Sequence, residues 1–238
     1  MKNDAGKKKV VLELGGNAAA IITPSANLKD TLKKCLVGAF AYAGQVCIHT
    51  QRIYVHYSIF DDFTSSFVKE TQKLMSGDPL NIETDISSLI DETNAIRVEN
   101  WIYEAINQGA KLLTGGKRKG AFIEPSVLTG TNKKMKINGE EVFGPTVIIE
   151  PYDSFTDVVD LVNDTPYGLQ AGVFTNQIDE MNFAFDKLNV GGVMINETPS
   201  YRVDHMPYGG IKDSGLGREG LKYAIFDMLE PKILVKPK

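Results

Sequence analysis

Two cysteines, three histidines and one tryptophan among 238 residues rule out several kinds of chemistry. Cys35 and Cys47 are too few and too close to form a disulfide framework, so a reducing, cytoplasmic setting is expected. His49, His56 and His205 never form an HxxxH pair and no CxxC accompanies them, so no metal site is expected. No run approaches the roughly 18 apolar residues that a membrane span needs, and the amino terminus lacks the apolar core of a signal peptide. Basic residues number 26 against 30 acidic ones, a net charge of −4. A nucleic-acid surface needs the opposite excess. The one basic run, Lys2 with Lys7 to Lys9, reads as a solvated tail.

Strand-like and helix-like segments alternate through the rest of the chain. A β-rich run over 8–14 stops at Gly15 and Gly16. Leu28, Leu32, Leu36, Ala39 and Ala43 then recur at helical spacing. A strand is expected over 52–56, and Ser58 is placed to cap a helix whose apolar face is Ile59, Phe63, Phe67 and Leu74. Further helices are expected around 98–106, 155–164, 178–188 and 217–229, with strands over 111–116, 146–152, 170–175 and 192–196. This alternation predicts a three-layer α/β fold, a largely parallel sheet with helices on both faces. It reads as one domain over 1–230 followed by an extended arm over 231–238.

Two motifs compete for attention. "GLGREG", residues 215–220, matches G-x-G-x-x-G, but no strand precedes it and too little chain follows to supply the acidic residue of a dinucleotide fold. It reads as a turn feeding the last helix. "AGQVC" places Cys47 in a loop between a helix and a strand, where partial exposure favours a reactive thiol. Cys35 falls within the first helix, beside its apolar stripe, and reads as core. Glu13 ends the β-run beside two glycines. At the carboxyl end of a sheet strand it would face the crevice where ligands bind, and a partly buried glutamate there can take a proton from water.

Three stretches, "LELGGN" (12–17), "AGQVC" (43–47) and "EEVFGP" (140–145), occur in the same order in aldehyde dehydrogenases, and "YGLQAGVFT" and "MPYGGIKDSGLGREG" also resemble blocks of that family. The resemblance implies that Cys47 is the nucleophile, forming a thiohemiacetal and then a thioester, and that Glu13 activates the water that hydrolyses it. It implies NAD or NADP as cofactor, with Glu141 on the nicotinamide ribose, Phe143 beside that end of the cofactor, and the Leu14 and Gly15 backbone near the carboxamide. Glu140 reads as a solvated neighbour. Tyr208 resembles an aromatic lining the aldehyde tunnel, although a core tyrosine would look the same. The stretch "ETPSYRVDHMPYGG" resembles enzymes for small polar or anionic aldehydes: lactaldehyde, succinate semialdehyde or non-phosphorylating glyceraldehyde-phosphate types. Arg202 can clamp an anion there or simply pair with Asp204 or another local acid, and His49 can line the pocket or be a strand-edge histidine with no function.

Family members carry a complete dinucleotide-binding domain ahead of the "ELGG" block, and here that block begins at residue 12. The expected chain is therefore the catalytic domain alone, with the last strand of the cofactor domain at about 8–14. It lacks the Asn side chain that forms half of the oxyanion hole, the other half being the nucleophile's own N–H. Weak or absent activity is expected, because one lost oxyanion donor costs about 10²–10³ in rate. Two other readings remain open, a thiol esterase working through Cys47 and a non-catalytic oligomerising fragment. A small aldehyde and a second copy of the chain, held through the arm, are the expected partners.

Overall fold

The structure, a computed structural model, describes residues 2–237; Met1 and Lys238, the outer ends of the expected domain and arm, lie outside the described residues. The first strand, β1 (Leu12–Glu13), is far shorter than the run expected over 8–14. The second, β2 (Ala18–Ile22), has no counterpart among the expected elements, although all five of its residues are buried. A strand covered on both faces shows no alternation, and three successive alanines have little intrinsic preference for a strand.

Helix α1 (Leu28–Phe40) starts on an Asn27 side chain that accepts the Asp30 N–H. Then follow β3 (Thr50–His56) and α2 (Tyr57–Thr71), which is capped by His56 rather than by Ser58. Next are α3 (Glu92–Asn107), β4 (Lys111–Thr114), the small hairpin β5 (Arg118–Lys119) and β6 (Phe122–Ile123), and β7 (Ser126–Thr129). A single-turn helix, α4 (Lys136–Gly139), leads to β8 (Thr146–Tyr152), α5 (Phe155–Asn163), β9 (Gln170–Phe174), α6 (Ile178–Lys187) and β10 (Gly192–Ile195). The chain finishes through β11 (Gly215–Leu216) and α7 (Leu221–Met228), shorter than the helix expected from 217.

Seven strands form one sheet in the order β10-β9-β2-β3-β8-β7-β4, parallel throughout except for the β4–β7 pair. Side chains of period two divide the core. Ala20, Ile22, Ile53 and Val55 face Ala39, Phe67 and Ile102 of α1, α2 and α3, while Ala19, Ile21, Tyr54 and Val173 face Val158, Val159 and Ala184 of α5 and α6. The expected three layers are present. No described helix is long and apolar enough to cross a membrane.

Every parallel strand has its amino end on the same side, and three loops meet there: 14–17 before β2, 41–49 before β3 and 140–145 before β8. Arg52 on β3 ties the first to the sheet, its guanidinium donating to the Asn17 carbonyl at 2.8 and 3.1 Å.

The expectation that His49 lines a pocket does not hold. Its side chain is buried and its Nε2 lies 2.8 Å from the Ala39 carbonyl, where it closes the open carboxyl end of α1. Burial depresses its pKa to about 4, against which the Ala39 contact works only in part. The folded state thus binds this proton less readily than the unfolded chain, whose imidazole titrates near 6.5. Stability contributed by keeping His49 neutral is full above about pH 6.5 and falls as the pH drops toward 4, by a total on the order of 3 kcal/mol. Urea midpoints measured from pH 7 to pH 4 are expected to fall less steeply for H49Q than for the unsubstituted protein; equal slopes would remove His49 as the cause.

Candidate active site

Cys47 reaches its position through an unusual backbone. After α1 the residues Tyr42, Ala43 and Gly44 are all left-handed, with φ of 53°, 55° and 68°. Such a conformation costs an ordinary residue about 1 kcal/mol or more, so packing must hold it. Part of that packing is visible at Gly44, where a Cβ would lie 2.1 Å from the Gly144 carbonyl oxygen. The loop before β3 and the turn before β8 therefore touch backbone to backbone. Phe143 in that turn is itself left-handed, φ 47°, and the residue is 40% exposed.

The 14–17 loop completes the contact. A Cβ on Gly16 would sit 2.2 Å from the Cys47 carbonyl oxygen, and one on Gly15 would sit 2.4 Å from Glu141 Oε2. The Gly16 N–H donates to Glu141 Oε1 at 2.8 Å. Burial pushes the Glu141 carboxyl up, the Gly16 bond pulls it down, and Glu13 and Arg97 act in opposite directions. Glu140 is exposed; its carbonyl accepts from Gln51 and its N–H donates to the Lys136 carbonyl.

Glu13 ends β1, but β1 lies outside the main sheet, so the glutamate is not at that sheet's carboxyl edge, which corrects the reasoning that drew attention to it. β1 pairs antiparallel with β11, Glu13 opposite Gly215 and Leu12 opposite Leu216. This two-stranded ribbon carries the glutamate over the amino ends of the parallel strands. The "GLGREG" stretch is thus structural and more than a turn: Gly215 and Leu216 pair with β1, and Glu219 bridges Tyr208.

Tyr208, 2% exposed, links the pair. Its hydroxyl is 2.9 Å from Cys47 Sγ and donates to Glu13 Oε1 at 3.4 Å. Burial and the adjacent Glu13 carboxylate push the Cys47 thiol up to about 11, while Tyr208 acts to lower it. Cys35, fully buried, is raised further still by desolvation. Arg202 stacks 4.0 Å above the Tyr208 ring centroid and pairs with Glu219 at 3.2 Å, not with Asp204. The Leu14 side chain is exposed and its N–H donates to the Ser214 carbonyl.

Two positioning groups escaped the sequence reading. Buried Gln51 receives the Val142 N–H at 2.9 Å and donates to the carbonyls of Ile137 and Glu140. Arg97, on α3 and stacked on Trp101, donates to the Val142 carbonyl at 2.7 Å. Together they clamp the peptide between Glu141 and Phe143. Neither has a local signal, since a polar residue in a strand and an arginine on a helix are ordinary until the fold aligns them.

Residues 1–234 match the aldehyde dehydrogenase family. The sequence is 47% identical over 235 residues to a 3-sulfolactaldehyde dehydrogenase of Priestia aryabhattai, covering 99% of this chain and 49% of that protein. The fold is similar to aldehyde dehydrogenase 21 from Physcomitrella patens, solved with the reaction product succinate, at a TM-score of 0.97 and 46% identity over 99% of this chain and 49% of that one. It is also similar to a glyceraldehyde-3-phosphate dehydrogenase from Methanocaldococcus jannaschii complexed with NADP, at a TM-score of 0.92 and 40% identity over 95% and 49% of the two chains. The chain spans about half the length of the curated relatives it matches. Cys47, Glu13 and Glu141 are joined on a sheet edge that this similarity spans almost end to end, and the chain belongs to the aldehyde dehydrogenase family.

Proposed function

We propose that this chain carries the thiol-bearing part of an enzyme that oxidises a small anionic aldehyde to its acid with NAD or NADP. The observation that carries the reading is the meeting of Cys47, Glu13 and Glu141 around the bare backbone of Gly15 and Gly16. The Cys47 sulfur adds to the aldehyde carbonyl and forms a thiohemiacetal. NAD or NADP held at Glu141 and Phe143 would supply the hydride acceptor. With the hydride and the hydroxyl proton gone, Cys47 carries a thioester, whose carbonyl is open to attack by water. Glu13 then takes a proton from water, the resulting nucleophile attacks the thioester, and the acid departs with the thiol restored.

The residues present suit one end of a dinucleotide. An ionised Glu141 is an acceptor for ribose hydroxyls. Phe143 offers an exposed ring beside it, and Gly15 leaves the backbone open at Leu14. We assign full turnover to the whole protein, of which relatives are about twice this length, and assign residues 2–230 to the catalytic domain and the following arm to assembly.

Arg202 supports an anionic substrate. Its guanidinium lies on the ring whose hydroxyl touches Cys47, and a carboxylate, sulfonate or phosphate can share it with Glu219. The names of the similar proteins, for 3-sulfolactaldehyde and with bound succinate, agree with that class.

Brief iodoacetamide treatment followed by mass spectrometry is expected to modify Cys47 and spare Cys35; the reverse would sink the assignment. Short anionic aldehydes are expected to protect Cys47 at about tenfold lower concentration than neutral ones, the worth of one charge-assisted bond, and R202M is expected to erase the difference. Calorimetry should find NAD(P) binding to this chain weaker than micromolar. A micromolar constant, about −8 kcal/mol, would mean that the residues here hold far more of the cofactor than proposed. Finally, Ile233, Leu234 and Val235 are 79–86% exposed in an extended tail. Such a strand seeks a partner edge, so light scattering should show a dimer or larger that is lost when the chain ends at Glu230; two monomers would leave the tail without this role.

A further inference from the structure

We propose that Tyr208 is a catalytic residue whose hydroxyl relays the Cys47 thiol proton to the Glu13 carboxylate, a role that rests on Cys47 being the nucleophile. The donor inventory decides the direction. An ionised carboxylate only accepts, so the single phenol proton goes to Glu13 Oε1, 3.4 Å away. What remains toward Cys47, at 2.9 Å, is an oxygen lone pair to which the thiol can donate, although Glu13 also acts on the thiol directly. Transfer then breaks the S–H bond and the phenol O–H bond and forms a new bond at each oxygen. Negative charge moves from Glu13 to the sulfur. The phenol regains a proton on the sulfur side, and that O–H now donates to the thiolate and stabilises it.

The surroundings fit a relay that passes a proton without keeping a charge. Burial, above all, holds the Tyr208 hydroxyl well above an ordinary phenol, so it stays protonated at rest. The thiol needs the help, because burial and Glu13 hold it up near 11. The charged groups facing the pair are Glu13 from β1, Glu141 from the turn before β8 and Arg202 above the ring, and the two carboxylates both oppose an unassisted thiolate. The tyrosine is also fixed. Its N–H and carbonyl pair with the carbonyl and N–H of Glu219 at 3.0 and 2.6 Å, and Arg202 covers its ring. The 3.4 Å contact is long for a hydrogen bond, as catalytic contacts often are before substrate arrives.

The test is the rate of Cys47 alkylation by iodoacetamide, followed by mass spectrometry across pH, in the unsubstituted chain, Y208F, E13Q and the double variant. The relay predicts a tenfold or greater loss near pH 7.5 in Y208F, a similar loss in E13Q, and no further loss when the two are combined. It also predicts that the rates converge as the pH approaches 11, where the thiol ionises unaided. A Y208F rate equal to the unsubstituted one beside a slow E13Q would overturn the relay in favour of direct transfer to Glu13; additive losses would also overturn it. Labelling at buried Cys35 reports any loss of fold. If Y208F shows it, Y208H decides, since an imidazole relay must lose reactivity as it protonates between about pH 7 and 6; a profile without that inflection overturns the proposal. Failure of the functional reading looks different, as an unsubstituted chain in which Cys47 is no more reactive than Cys35.

Discussion

Side chains absent at positions 15, 16 and 44 make the site possible. A single methyl at Gly16 would collide with the Cys47 carbonyl, one at Gly15 with Glu141, and one at Gly44 with the Gly144 carbonyl. Each contact joins a different pair among the loops before β2, β3 and β8. The three loops interlock as bare backbone, and the left-handed residues Tyr42, Ala43 and Phe143 are the conformational cost of that fit. Gln51, Arg52 and Arg97 then hold the interlocked pieces with hydrogen bonds to main-chain carbonyls. Their role is geometric, and the groups that can do chemistry stand on what they hold.

The site occupies the amino edge of a parallel sheet, where α/β proteins do not ordinarily bind ligands. The carboxyl edge shows why it is available to structure alone. Between β2 and β9, where the strand order reverses, Thr23, Ser25 and Thr175 link hydroxyl to hydroxyl, and Asn176 donates to both the side chain and the carbonyl of Ser25. The usual crevice is filled by its own side chains. At the opposite edge the β1–β11 ribbon lies across the strand starts and delivers Glu13 and, through the Glu219 bridge, Tyr208.

Much of this was legible in the residues. The alternation of elements predicted the layered sheet, and the three motif blocks named the residues that meet. The misses have physical causes. β2 was invisible because a strand buried on both faces carries no period, and alanine no strand preference. Glu13 was singled out for a strand end in the wrong sheet, since a two-residue ribbon looks like the start of a longer strand. His49 was placed in the pocket by its distance from Cys47 in sequence, but a tight turn between them sends its ring to the end of α1.

The sequence by itself determined the chemical inventory: one loop thiol, one carboxylate beside paired glycines, and an acidic and aromatic pair before Gly144. Those are properties of residue type and short spacing, which hold whatever the order of strands in the sheet. Only the tertiary structure decided that Tyr208 stands between Cys47 and Glu13, that Arg202 stacks on its ring, and that Gln51 and Arg97 fix the turn holding Glu141. Apart from the Arg202 stack, whose partner Tyr208 is close in sequence, these contacts join segments 45 to 195 positions apart. Distances of a few ångströms between such segments depend on sheet order and loop closure, and no local pattern encodes them.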